Sequence, residues 1–395
     1  MAVAPEELSV PPHPLSLGEE QPSLLLQLAL APILLLLIPF LFIFRLFLFV
    51  VVMLLLWIVC NLALLGLTKG QQLGNLRRAL CTPCLRLLGR LALVAFGCWP
   101  GLLKVRGAPD PEAAVWVGAP HTGIVDPYLF LALGVPRPVM IASYAKIPVI
   151  GDVLRATGAL LVPIASSRTT SSGGNAAVEE EDSLRRKAAT AIAAAAVVES
   201  DTAVGSAGTK PKAASAAIRD AIIYSKRKYV AAFALAKGGK EAMAVDADLA
   251  KAVRADPLAR VPLCVFPEGI THAGNSILPF FSGAFEGPAK VQPVLVRMPF
   301  RYFNSAAFLS SLGTHIRRLF ASPYLRVEVD FLDSYQPSSA ESPTPDFTAS
   351  CVREKMAAAS GLPLSPISAR ELRAEIKAAA QRKRKLVAYR AVCMH

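Results

Sequence analysis

The sequence predicts an α/β fold, a mixed sheet flanked by helices, preceded by an N-terminal membrane helical hairpin or span. Three observations carry this expectation. Hydrophobic residues make up 53% of the 395 positions, above the share of an ordinary soluble domain, so an apolar segment must be raising the average. Beyond that segment, short apolar runs alternate with helical patterns, the rhythm of a sheet layered with helices. In one run Leu325, Val327, Val329 and Phe331 alternate with Arg326, Glu328 and Asp330, the two-residue period of a half-exposed strand.

The apolar segment runs from Ser23 to Thr68 and carries one formal charge, Arg45. It is more than twice the ~20 residues that cross a hydrocarbon core roughly 30 Å thick, so it is long enough for two passes or a re-entrant hairpin. Pro32, Pro39 and Arg45 mark where a bend could lie. A cleaved signal peptide is a poor reading, because the segment starts late, lacks a basic leader and runs too far. Residues 1–22 hold Glu6, Glu7, Glu19 and Glu20 and no Lys or Arg, whereas Lys69, Arg77, Arg78, Arg86 and Arg90 follow the segment. That asymmetry places the downstream domain in the cytosol. The side on which residues 1–22 lie depends on whether the segment is a hairpin or a span.

The formal charge of +13 favours an anionic partner, and the apolar segment makes that partner membrane lipid headgroups. No zinc-finger spacing or aromatic RNA-binding pattern supports nucleic acid. Seven scattered cysteines suit reduced thiols better than a disulfide framework. Cys81 and Cys84 form a lone CxxC without a second pair, better read as membrane-proximal cysteines than as a zinc site. His13, His272, His315 and His395 lack metal-ligand spacing, so no metal or other cofactor is expected.

Along the chain the organisation reads as an N-terminal tail (1–22), a membrane segment (23–68), an amphipathic membrane-proximal region (69–106), a catalytic domain (107–375) and a basic C-terminal tail (376–395). In residues 74–103 leucines interleave with Arg77, Arg78, Arg86 and Arg90, and Pro83 is expected to kink or split the helix. Such a helix can lie in the headgroup layer, or it can be an ordinary surface helix. Strands are expected at 113–118, 160–164, 262–266, 291–298 and 325–331, with a helix at 128–133. Residues 169–256 break this rhythm. Their Ser/Gly-rich opening and Ala-rich continuation read as a low-complexity insert, disordered over 200–217 and otherwise of surface helices, carrying little chemistry.

Two constellations can carry chemistry. In Pro120-His121-Thr122-Gly123-Ile124-Val125-Asp126, His121 and Asp126 are five apart, which leaves them roughly 140° apart on a helix. They meet only if the chain between them turns. A carboxylate beside an imidazole fixes its tautomer and stabilises the imidazolium formed when it takes a proton from a hydroxyl. The alternative is structural: Asp126 precedes Pro127 and could cap a helix whose first residue is proline. In Phe266-Pro267-Glu268-Gly269-Ile270-Thr271, glycine allows close backbone approach, and a carboxylate at a strand end can position a hydroxyl or a basic partner. Alone, that block is also a turn.

In this order, HxxxxD at 121–126, FPEG at 266–269 and the proline-centred strand Val291-Gln292-Pro293-Val294-Leu295-Val296 resemble the blocks of the glycerolipid acyltransferases (1-acylglycerol-phosphate acyltransferase-like). The similarity points to the lysophosphatidylcholine and lysophospholipid acyltransferase branch, through the APH entry to the first block, IPVIG at 147–151, SGAFE at 282–286 and RMPFRYFN at 297–304. It covers about residues 30–168 and 255–375. The resemblance implies acyl-CoA as co-substrate, a lysophospholipid acceptor, His121 as general base, Asp126 as its orienting partner and no covalent intermediate. It gives Arg168 the substrate phosphate, sets Glu268, Gly269 and Thr271 on the glycerol-phosphate side, and lets Pro293 shape the acyl pocket. Two departures bear on the acceptor residues: Ile270 stands where Thr is usual after EG, and Arg168 lies farther along its block than the pattern has it. An integral membrane protein, of the endoplasmic reticulum, follows as an expectation. The nearest rival acts on 1-acylglycerol 3-phosphate or glycerol 3-phosphate. A catalytically silent membrane-shaping protein is a rival of another class, against which His121 and Asp126 argue. Hydrolase chemistry lacks its Gly-x-Ser-x-Gly elbow.

Overall fold

A computed structural model of the chain describes residue 13 and residues 24–68, 71–162, 211–287, 289–300, 312–336 and 344–379. Among them, seven strands form one sheet in the order β1-β7-β6-β2-β5-β3-β4: β1 (Leu103–Arg106), β2 (Val115–Ala119), β3 (Arg137–Ile141), β4 (Leu160–Val162), β5 (Leu263–Val265), β6 (Val291–Arg297) and β7 (Val327–Phe331). From β6 to β4 the strands are parallel, and β6 meets β7 antiparallel. The sheet is therefore mixed and flanked by helices, as expected. The strand expected at 325–331 forms at 327–331 with Val327, Val329 and Phe331 buried; it is not half-exposed, because Glu328 is buried as well and pairs with Arg106, Arg297 and Arg326, while Asp330 pairs with Arg106 and Arg297. Two strands were not expected. β1 begins at Leu103, where the stretch read as helical ends, and β3 begins Arg137-Pro138, where proline argues against a strand. Arg137 is nonetheless tied in, its backbone N–H donating to Pro262 O and its Nε to Gly158 O, both at 2.9 Å.

The apolar segment is one helix, α1 (Leu24–Leu64). Neither Pro32, Pro39 nor Arg45 bends it into a hairpin. The hairpin forms later, between α1 and α2 (Asn75–Ala95), which runs unbroken through Pro83. Arg77 at the start of α2 reaches the carbonyls of Ala63 and Leu65, and Phe96 just past its end packs against Phe49, so the two helices are antiparallel. Val52, Leu56, Cys60 and Leu64, four apart on one face of α1, are buried against the domain. Ile43, Phe47, Val50, Leu54 and Leu62 stay exposed on the rest of its surface. Among the described residues this is the one helix long and apolar enough to cross a membrane. Arg45 does not mark a bend. It is fully buried, and its guanidinium donates to the carbonyls of Phe320, Ser322 and Pro323 at the end of α8 (Leu312–Ala321), where unpaired carbonyls and the negative helix pole favour a cation. The ring of Trp99 lies 5.0 Å from it.

Helix α3 (Val125–Leu133) lies under α2. The two approach so closely at Gly89 that a Cβ there would sit 2.7 Å from the Ala132 nitrogen. The arginines read as facing the anionic leaflet are divided in duty. Arg77 caps α1 and Arg86 donates to Leu133 O at the end of α3, while Arg78 is half-buried with its pKa pulled down to about 10 by burial and by Arg137. Arg90 is exposed.

After α4 (Ile150–Thr157) and β4 the next described residues begin at α5 (Pro211–Lys237), followed by α6 (Gly239–Met243) and α7 (Ala247–Ala255). Helices were expected here, but the reading of a low-complexity insert apart from the core is corrected. Residues 211–217, expected to be disordered, are helical; 200–210 lie outside the described residues. Ile222, Tyr229, Ala231 and Ala232 are buried, and Ile222 and Tyr229 share a core with Val115, Leu263, Phe285 and Met356. Lys226, pulled down to about 8 by burial, donates to the carbonyls of Ala284 and Glu286, and the Tyr229 hydroxyl donates to Pro111 O at 2.7 Å. The alanines that read as low complexity let this helix pack closely. With α9 (Pro345–Ser360) it covers the sheet face opposite α1, α2 and α3. A last helix, α10, spans residues 369–379 and so runs past the expected domain end at 375.

Candidate active site

The site forms where β2 ends. Between Ala119 and the start of α3 at Val125 the chain turns, and the turn closes on Asp126. Oδ2 of that carboxylate accepts from the backbone N–H of Thr122 (2.8 Å) and Gly123 (3.0 Å), and Oδ1 accepts from the Thr122 hydroxyl (3.1 Å). Asp126 is fully buried in the first turn of α3, at the positive helix pole. It is not the cap residue that its place before Pro127 suggested; the cap position is Ile124 and makes no side-chain hydrogen bond. His121 Nδ1 lies 2.7 Å from Asp126 Oδ2. The expectation that the turn brings this pair together is met.

An oxygen already accepting two N–H groups acts as an acceptor toward His121, so Nδ1 carries the proton and Nε2 keeps its lone pair. The imidazole is 21% exposed, and its ring stacks on Phe266, with centroids 4.1 Å apart. Phe266 in turn meets Phe130, and Phe130 meets Trp116. This aromatic column sits on the α1–α2–α3 side of the sheet. Tyr128, two residues beyond Asp126, packs against Phe49 of α1 and its hydroxyl reaches Met53 Sδ at 3.2 Å. The apolar helix thus rests on the element that carries Asp126.

Glu268, which the resemblance set on the glycerol-phosphate side, lies under the His121 backbone. It is fully buried beneath His121, with Oε2 accepting from the His121 backbone N–H (2.6 Å) and Oε1 from the Leu278 N–H (2.9 Å). Both oxygens are committed to protein donors, which is what a buried carboxylate requires. Gly269 follows at φ +66, where a Cβ would press on the Phe281 ring at 2.6 Å, and its carbonyl accepts from Arg373 of α10 at 2.5 Å. Thr271 is half-buried in the same loop. Pro293 is buried inside β6, paired with Val117. Strand alternation puts it with Val291 and Leu295 on the α5–α9 side, away from the His121 ring. It therefore does not join the site. Arg168 lies outside the described residues.

Two buried groups escaped the sequence. His272, set aside for lacking metal spacing, is enclosed beside Glu268; its signal was a second imidazole four residues after the motif carboxylate. Arg45 looked like a break in an apolar helix and is a buried tie. Cys264 on β5 offers no thiolate, because burial raises its pKa and the nearby Asp126 raises it further. The geometry therefore orients one partly exposed imidazole, that of His121.

No family model matches the chain. Among curated relatives, lysophospholipid acyltransferase LPCAT4 of Mus musculus is 29% identical over 316 residues, 78% of this chain and 46% of that protein. Lysophosphatidylcholine acyltransferase 2B of Rattus norvegicus is 25% identical over 346 residues, 83% of this chain and 50% of that protein. The chain thus spans about half the length of the curated relatives it matches. The crystal structure of the 1-acyl-sn-glycerophosphate acyltransferase PlsC from Thermotoga maritima superposes with a TM-score of 0.43 at 14% identity, covering 82% of this chain and 95% of that one. Over 78% of its length this chain is similar to lysophospholipid acyltransferases, the resemblance that the order of its motifs implied.

Proposed function

We propose that this protein is an acyl-CoA-dependent O-acyltransferase that acylates a lysophospholipid at a membrane surface. The His121–Asp126 pair, closed at 2.7 Å with the ring partly open, carries the reading. Nε2 removes the proton from the acceptor hydroxyl as its oxygen attacks the thioester carbonyl. The C–O bond forms, the C–S bond breaks, and the imidazolium, held by the Asp126 carboxylate, returns the proton to the departing CoA thiolate. The relatives' names support a lysophospholipid acceptor. The exposed apolar face of α1 supports lipid as the medium, and the basic residues after that helix support a catalytic domain on the cytosolic side of the endoplasmic reticulum. The domain division of the sequence is kept in this proposal, with residues 211–255 taken as part of the core of the catalytic domain (107–375) and not as an insert of little chemistry.

Membranes expressing the protein, given labelled acyl-CoA and a panel of lysophospholipids together with glycerol 3-phosphate, test the activity and the headgroup in one experiment. His121→Ala is expected to lower turnover by about 10² to 10⁴-fold with expression and membrane attachment intact. Turnover equal to wild type would sink the mechanism. Product formed from glycerol 3-phosphate or lysophosphatidic acid alone would move the protein to the rival acceptor class.

A further inference from the structure

Resting on the acyl-transfer reading above, we infer that His272 is a positioning residue for His121, acting through Glu268. The two histidines are joined twice. The His272 backbone N–H donates to the His121 carbonyl at 3.0 Å. His272 Nε2 lies 3.1 Å from Glu268 Oε2, the same oxygen that takes the His121 N–H at 2.6 Å. Gly274 N–H donates to His272 Nδ1 at 3.3 Å, so Nδ1 is an acceptor and the ring proton is on Nε2, directed at the carboxylate. The imidazole is fully enclosed and both nitrogens are engaged, which excludes it as a second base in contact with substrate.

The arrangement answers a specific need. A fully buried carboxylate is tolerated when donors surround it. Of the three donors on Glu268, two are backbone N–H groups and His272 supplies the side chain. Asp126 fixes the ring of His121, whereas Glu268 and His272 fix the backbone that carries the ring. If the carboxylate lost its imidazole donor, its hold on the His121 N–H would loosen, and misplacement of a catalytic group by about 1 Å can cost up to about a hundredfold in rate.

Two substitutions separate this role from packing. In H272Q the side-chain amide reaches the place of Nε2 and keeps a donor on Glu268, while losing the acceptor for Gly274. In H272N the amide oxygen stands in for Nδ1 and keeps the Gly274 contact, while losing the donor on Glu268. Both remove the ring, so a merely structural role predicts similar losses in each. We expect kcat of the full-length protein in membranes to fall roughly ten- to a hundredfold in H272N with KM for acyl-CoA and lysophospholipid unchanged, and H272Q to recover most of that loss. Amide hydrogen exchange of the peptide containing His121 and Thr122 should quicken in H272N and stay close to wild type in H272Q. Equal kcat losses that follow the melting temperature in both variants, or exchange that is the same in both, would overturn the inference. The exchange arm needs no turnover, so it decides the role of His272 even if the wild-type protein transfers no acyl group, a result that would count against the proposed function alone.

Discussion

Asp126 and Glu268 are both fully buried, both belong to a motif at the end of a parallel strand, and both bond to the same residue, yet they do different things. Asp126 holds the imidazole ring of His121; Glu268 holds its backbone. A motif carboxylate therefore need not meet substrate to be required, because a general base works only if its ring and the chain beneath it are both fixed.

The largest effect that separates the two is expected from Asp126→Asn. The amide oxygen can still accept from Thr122 and Gly123, so the turn and the melting temperature should hold, while the imidazolium loses its charge partner and kcat falls about a hundredfold. A loss of folding in that variant would make Asp126 a structural residue first and erase the contrast. Glu268→Gln should behave the other way round. One of its two positions becomes an NH₂ group facing the His121 or the Leu278 N–H, and a buried polar group left unsatisfied costs about 3 kcal/mol, read as a drop in unfolding free energy. If stability is unchanged and only KM for the acceptor rises, Glu268 faces substrate after all.

The comparison extends to the apolar layer, where Arg45 and Arg90 are the buried and the exposed cation. Arg45→Met leaves the carbonyls of Phe320, Ser322 and Pro323 without their donor and should cost about 2 kcal/mol, seen as a lower melting temperature in detergent with the protein still membrane-bound. Arg90→Glu should leave the melting temperature alone and weaken binding to anionic vesicles by about 1 kcal/mol. Arg77→Glu and Arg86→Glu would affect stability as well, since those side chains hold the ends of α1 and α3. If Arg90→Glu lowers stability as much as they do, the division between capping and lipid-facing arginines is wrong.

Much of the fold was legible because its signals are local. Hydropathy located α1, period-two alternation located β7, and the HxxxxD spacing required a turn that could join His121 to Asp126. What the sequence hid depends on partners remote in the chain. β3, which carries Pro138, was not read as a strand, and its pairing is supplied by β5 and β4. Residues 211–237 read as part of a low-complexity insert until the core that Ile222 and Tyr229 join, and the carbonyls that Lys226 reaches at the turn 282–286, were present.

By itself, then, the sequence located the apolar segment and the layered α/β class and singled out His121 and Asp126 as residues that a turn could join, because periodicity, hydropathy and five-residue spacing act within a few turns of chain. Only the tertiary structure decided where the charges point. Arg45 faces the end of α8, Glu268 lies under His121, Pro293 is on the far side of the sheet, and His272 closes on the buried carboxylate. Each of these rests on a contact between distant segments, and a buried charge or polar group goes wherever such a contact can satisfy it.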